Sequence, residues 1–262
     1  MKMKSLNNKT GKSAMIGKGF EFNPATHRYY LDGRQMTGCT TILGVVNKPM
    51  LIGWASKMAV EYIAENIAAL VTGSVDDQKR ILEEAKNAHA RKRDSAAEKG
   101  TDFHALAEHW VKDCIAENKG RAMKNGIYNP AIMPFIEWAI ENDITFLASE
   151  KQFYSASMFV AGTADLLFEK DGKRYVGDIK TMAKIWDRLP FLQCAGYGIM
   201  QQEMGGEKID GYVVLRFGRE DKSFDEYWSF DTKGDEEGFR ACVKLYRLME
   251  DWKKNCLPDK DN

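Results

Sequence analysis

One short stretch constrains this chain more than any other. Gly162-Thr-Ala-Asp165 is followed by Glu169-Lys-Asp-Gly172 and then by Lys173-Arg-Tyr-Val-Gly-Asp-Ile-Lys180. Apolar runs around Asp165 and before Asp178 predict two strands, over 158–168 and 174–179, and the intervening Asp-Gly predicts the hairpin turn that joins them. Successive side chains on a strand alternate faces, so Asp178 and Lys180 share one face while Ile179 points into the apolar layer behind. The hairpin folds Asp165 back beside them. Two carboxylates and an ammonium group meeting at a sheet edge suit a hard divalent cation and an activated water.

The rest of the chain frames this hairpin. Further strands are predicted over 144–154, 209–217 and 223–230. Helices are predicted over 129–142, over 190–204 and as a closing helix from about 235 to 254, where Phe239, Val243, Leu248 and Trp252 recur at helical spacing. Ahead of these come a small hairpin around Asn23-Pro24, a short helix capped by Thr40 or Thr41, and a helix over 49–70. Another helix runs from Asp76 to about Lys99, is interrupted at Gly100, and resumes at Thr101. This order predicts an α/β fold: an α/β sandwich around one central mixed sheet, with a helical N-terminal region. Residues 1–18 read as a flexible basic tail, 19–130 as the hairpin and helical region and 131–262 as the core sheet with its helices, the last two forming one structural unit.

Composition excludes several classes. The chain has 262 residues, of which 44% are hydrophobic and 29% charged, and no apolar run reaches membrane-spanning length. The start lacks the apolar core of a signal peptide, so a cytoplasmic protein without membrane contact is expected. The formal net charge is zero, which argues against coating nucleic acid by bulk charge but not against a local basic groove. The five cysteines are scattered, with no C-x-x-C, so neither disulfides nor a zinc knuckle is expected. Thr10-Gly11-Lys12-Ser13 lacks both the first glycine and the preceding strand of a phosphate loop, which removes ATP binding by that route.

Other residues gain meaning from their company. His104 lies beside an apolar stripe of Phe103, Ala107 and Trp110; alone it would be structural, but near the acids its imidazole is a candidate nitrogen ligand. Glu150 is either a solvated strand residue or a supporting carboxylate. Gln193 and Tyr197 stand at i and i+4 on one helix face, either as a polar helix edge or as a pair that touches phosphate or holds Lys180. Lys184 and Arg188 lie between the strand and that helix, where they line a phosphate path or simply face solvent.

The set Gly100-Thr101-x-x-His104, Glu150, Gly162-x-x-Asp165, Asp178-Ile179-Lys180 and Gln193-x-x-x-Tyr197 resembles the RecB-type branch of the PD-(D/E)XK nuclease superfamily. The front of the chain, His27-x-Tyr-x-x-Asp-Gly and Leu51-x-x-Trp54-Ala, is similar to phage or prophage members. The resemblance implies a restriction-endonuclease-like core and a Mg²⁺- or Mn²⁺-dependent deoxyribonuclease, an exonuclease acting on DNA ends or single strands in phage DNA processing or recombination. The alternatives are a structure-specific endonuclease and a non-catalytic DNA-end-binding protein. It implies that His104, Asp165, Asp178 and the backbone carbonyl of Ile179 ligate the metal. It implies further that Lys180 positions or helps deprotonate the attacking water and that Gln193 and Tyr197 touch DNA and brace the centre. Beside these, the residue reading adds Glu150 as a supporting catalytic carboxylate and Lys184 and Arg188 as candidate DNA contacts. A partner from recombination or single-strand binding is also implied. Some relatives carry an iron–sulfur cluster; Cys242 and Cys256 lack the close late spacing, so no iron–sulfur cluster is expected.

Overall fold

The computed structural model describes residues 14–15, 19–124, 126–218 and 223–256. In chain order, β1 (Ala14–Met15), β2 (Phe20–Asn23), β3 (Arg28–Leu31), β4 (Arg34–Gln35), β5 (Thr37–Gly38) and α1 (Cys39–Leu43) precede α2 (Met50–Glu65), α3 (Ile67–Thr72), α4 (Val75–Lys86) and α5 (Ala88–Asn118). A 3-10 turn at Pro130–Ile132 leads into α6 (Met133–Glu141), followed by β6 (Thr145–Ser155), β7 (Val160–Lys170), β8 (Lys173–Thr181), α7 (Leu189–Glu203), β9 (Gly211–Phe217), β10 (Phe224–Ser229) and α8 (Thr232–Cys256). The flexible tail expected over 1–18 lies outside the described residues except for Ala14–Met15, which pair with β2. Among the described residues no helix is long and apolar enough to cross a membrane.

The chain falls into two compact units, Met1–Val45 with Ala107–Asn262, and Val46–Leu106. In the second unit α2 and α3 pack against α4. Ser74 and Asp77 form a reciprocal capping box at the start of α4, satisfying N–H groups that the first helical turn leaves open. The Tyr62 hydroxyl donates to the Glu84 carboxylate.

Three local expectations are corrected here. The helix expected over 49–70 breaks at Asn66, whose side chain donates to the Tyr62 carbonyl at 2.8 Å and so closes α2. The break expected at Gly100 occurs instead at Asn87, whose amide caps the Glu83 carbonyl at 3.0 Å, while α5 runs through Gly100. A glycine inside a helix costs only about 1 kcal/mol relative to alanine, which good helix formers on both sides offset. Finally, α1 starts after Gly38 with no side-chain cap from Thr40 or Thr41.

The first unit is an α/β fold around a mixed six-stranded sheet of order β10-β9-β8-β7-β5, with β6 on β7. β8 and β9 run parallel, as do β5 and β7; the other neighbours are antiparallel. The β7–β8 turn puts Asp171 at φ 52° and Gly172 at φ 70°, the paired left-handed residues of a type I′ turn. Phe168 and Tyr175 pair across this hairpin and stack 5.5 Å apart. On their face of the sheet, Trp110 from α5 meets Phe135 of α6 and Phe146 of β6 at 5.2 and 5.5 Å. Side chains alternate, so Val176, Asp178 and Lys180 take the other face, where α7 packs.

One irregularity of this sheet positions the site. β6 occupies one edge of β7 along nearly its whole length, from Val160 to Glu169. On the opposite edge, β5 pairs with Val160 and Ala161, and β8 pairs from Leu166 to Lys170. The stretch Gly162–Asp165 between them has no strand partner on that edge among the described residues.

Candidate metal centre

Asp165 closes this gap with its side chain. Its Oδ2 accepts a 2.7 Å hydrogen bond from the backbone N–H of Ile179, on β8 just past Gly177, the last residue paired with β7. In a strand the N–H and C=O of one residue project to the same side, so the Ile179 carbonyl is also directed into the gap. Gly162 at its other end is required by close packing. A Cβ there would stand 2.6 Å from Tyr197 Cε1 and 3.1 Å from Cys39 Cβ.

Asp178 is buried, with 1% of its side chain exposed, and Lys180 Nζ lies 2.6 Å from its Oδ2 and 2.8 Å from its Oδ1. The ammonium also reaches Gln193 Oε1 at 3.4 Å. Gln193 Nε2 in turn donates to the Tyr197 hydroxyl at 2.9 Å. The i, i+4 pair on α7 therefore braces Lys180 against the sheet.

Glu150 stands on β6 directly opposite Asp165, because Ser149 pairs with Leu166 and Lys151 with Ala164. Carboxylate oxygens of Glu150 and Asp165 lie within 4.8 Å of each other. The Glu150 backbone has φ 50°, a left-handed conformation that costs a non-glycine residue roughly 1–3 kcal/mol and concentrates at functional sites. Its displaced carbonyl accepts from Gln152 Nε2 at 2.8 Å.

The electrostatics follow from crowding acids in a shielded place. Burial pushes the Glu150 carboxyl up to about 8, and the charges of Asp165 and Glu108 add to this against the opposing Lys112. Burial also raises Asp165, opposed by Lys180 and the Ile179 N–H. For Lys180 burial disfavours the charge, but Asp178 and Asp165 outweigh it and hold the amine protonated. A cluster of hard oxygen donors that struggles to stay ionised is one that a divalent cation stabilises, so the residues present could hold such an ion.

The other expected residues are placed as follows. His104 is half-buried on α5, in the second unit. It precedes Glu108 by one helical turn on the same helix face, and Glu108 is the acid whose charge Glu150 senses. Phe103 and Trp110 are core residues, 9% and 1% exposed. Lys184 is exposed, with its ammonium 5.1 Å from the centre of the Trp186 ring. Arg188 spends its guanidinium on the protein: Nε donates to buried Asp235 at 2.5 Å and Nη2 to Asp231 at 3.2 Å, tying the start of α7 to α8.

Sequence reasoning passed over three groups that shape the site. Glu108 and Lys112 were legible as an i, i+4 pair continuing the His104 face of α5. Arg216 is 5% exposed and donates to the carbonyls of Met182 and Ala183 at 3.0 and 2.7 Å, anchoring the segment that leaves β8. Arg247 of α8 reaches the carbonyls of Met158 and Phe159 at 3.2 and 3.1 Å and Thr37 Oγ1 at 3.1 Å, pinning the entry of β7. Both depend on contacts remote in sequence, and no local pattern signals them.

No protein-family model matches the chain. No curated protein matches it. Among solved structures, one described as "Crystal structure of SSO0001" is 11% identical, covers 86% of each chain and has a TM-score of 0.35, a likeness that bears on neither fold nor function.

Proposed function

We propose that this chain is a divalent-metal-dependent deoxyribonuclease of the PD-(D/E)XK type, hydrolysing phosphodiester bonds from DNA ends as an exonuclease in the cytoplasm. The observation that carries the reading is the fork between β7 and β8. There Asp165 accepts from the Ile179 N–H and lies within 4.8 Å of Glu150, while Asp178 pairs with Lys180, whose charge both aspartates favour; the resemblance to RecB-type nucleases leads one to expect this set.

In this reading Asp165, Asp178 and the Ile179 carbonyl hold Mg²⁺ or Mn²⁺, with Glu150 as a supporting carboxylate. When bound, the ion lowers the pKa of a water and offsets charge on the phosphate and the departing 3′ oxygen. Lys180, fixed by Asp178 and Gln193, orients the attacking water and places positive charge beside the phosphate. Gln193 and Tyr197 keep that amine from swinging into solvent. Lys184 and Trp186, exposed on the segment after β8, meet the DNA backbone and its bases.

The test is hydrolysis of end-labelled single- and double-stranded oligonucleotides with Mg²⁺, Mn²⁺ or chelator. Metal-dependent cleavage by the wild type and its loss in Lys180→Ala are expected. Equal rates for the two proteins defeat the proposal, and DNA binding without hydrolysis leaves only an end-binding protein. Covalently closed circles remain intact under an exonuclease and are cut by an endonuclease.

A further inference from the structure

Beside the carboxylate cluster, within the same unit, lies a cavity of about 310 Å³ between β3, α1 and the unpaired part of β7. This is at the lower end of the roughly 300–1,000 Å³ of small-ligand pockets. Its floor is apolar and shielded, formed by Tyr29, Met36 and Tyr197. Its rim is polar and exposed, formed by Arg28, Gln35, Thr40 and Thr41.

The walls are built rather than incidental. The Tyr29 hydroxyl bonds to Thr163 Oγ1 at 2.8 Å, joining β3 to the unpaired edge of β7. Thr163 precedes Asp165 by two residues and so shares its face. Tyr197 belongs at once to the cavity floor and, through Gln193, to the Lys180 brace. The turn carrying the rim is fixed by Asn23 Oδ1, which accepts from the Ala25 and Thr26 N–H groups at 3.0 and 3.1 Å. It delivers His27 at φ 51°, a strained conformation held by packing of its ring on Phe22 and Tyr29.

The charge of this rim is unspent. Arg174, Arg188 and Arg216 each pair with an acid of this chain. The Arg28 side chain has no ion pair or hydrogen bond with any described residue, and the side chains of Gln35, Thr40 and Thr41 have none either. A guanidinium flanked by hydroxyl and amide donors above an aromatic floor is chemistry for a phosphate attached to an apolar-faced group.

The geometry points to this cavity as the seat of one deoxynucleoside monophosphate unit: the terminal nucleotide of the strand being cut, with its phosphate on Arg28 and its sugar and base over Tyr29 and Met36. The assignment rests on the nuclease reading above and deepens it. A pocket that admits one nucleotide next to the carboxylates makes the enzyme bite off single nucleotides from an end.

The experiment uses the full-length wild-type protein in chelator, titrated with deoxyadenosine monophosphate by calorimetry. Saturable binding is expected, weakened about tenfold or more by adding Arg28→Ala, severalfold by Thr40→Ala with Thr41→Ala, and less by Arg28→Lys. Because Arg28 is exposed, its replacement leaves the fold intact, checked by an unchanged melting temperature. On linear DNA with metal, wild type releases mononucleotides, and Arg28→Ala raises KM about tenfold. No mononucleotide binding, or binding indifferent to Arg28, overturns the assignment even if DNA is hydrolysed. Arg28-dependent binding without hydrolysis of any DNA sustains the cavity and removes the nuclease reading.

Discussion

The Asp165 carboxylate accepts the Ile179 backbone N–H at 2.7 Å across Gly162–Asp165, where one edge of β7 has no strand partner among the described residues. A side chain thus does locally what a neighbouring strand does elsewhere. The same carboxylate is drawn to within 4.8 Å of Glu150 on the opposite side of β7. A break in the sheet ladder and a cluster of acids are therefore one feature.

Asp165→Asn retains an oxygen for the Ile179 N–H but loses the charge. The expected outcome is a folded protein with hydrolysis reduced by about a hundredfold or more and with no metal-induced rise in melting temperature. Calorimetric titration with Mn²⁺ and end-label assays check it; undiminished metal binding would remove Asp165 from the ligand set.

Glu150 gives a pH signature. Its carboxyl is raised to about 8 from an ordinary 4.5, so between those values the native state holds a proton that the unfolded chain has released. Its contribution to stability is therefore most favourable below about 4.5 and declines as pH rises towards 8. In chelator, Glu150→Gln should melt close to the wild type near pH 5 and about 4 °C or more above it near pH 8. Saturating Mn²⁺ should narrow the gap at high pH, because it stabilises the ionised wild-type cluster.

Asp178→Ala strands the Lys180 ammonium against a shielded wall. A loss of about 3 kcal/mol in stability is expected, together with loss of hydrolysis. Replacing both residues, Asp178→Ala with Lys180→Met, should recover much of the stability and none of the activity. Urea unfolding of the two proteins measures this; equal stability would mean that the ion pair is not coupled.

Arg188 separates structure from DNA contact. Its Nε is 2.5 Å from Asp235, which has no exposed surface. Arg188→Ala should cost about 2 kcal/mol in urea unfolding by leaving that buried acid without its cation, with the Ser229 hydroxyl still donating to it. Lys184→Ala should leave stability unchanged and weaken DNA binding with a smaller salt dependence. The reverse pattern would exchange the two roles.

Gly162→Ala tests the packing beneath the site. The added methyl meets Tyr197 at 2.6 Å, so the ring must move and the Gln193–Lys180 contact loosens. A cost of about 1–3 kcal/mol and a fall in hydrolysis are expected; wild-type melting and rates would show that the ring yields freely.

Much of this protein is legible in its residues taken locally. Alternation along Lys173–Thr181 sets Asp178 and Lys180 on one face, Asp171-Gly172 sets the turn, and the spacing of Gln193 and Tyr197 sets a shared helix face. Each depends on backbone periods of a few residues, which side-chain order alone specifies. Helix limits at Asn66 and Asn87 were less legible, because a side-chain cap there outweighed the stronger-looking signal at Gly100. What only the tertiary structure decided is the gap in β7, the left-handed backbone of Glu150 opposite Asp165, and the use of Arg188, Arg216 and Arg247 as internal ties. These join strands and helices distant along the chain, and an arginine that binds a buried carbonyl or acid carries the same local pattern as one that faces water. Its partner is chosen by packing, which no short stretch of sequence contains.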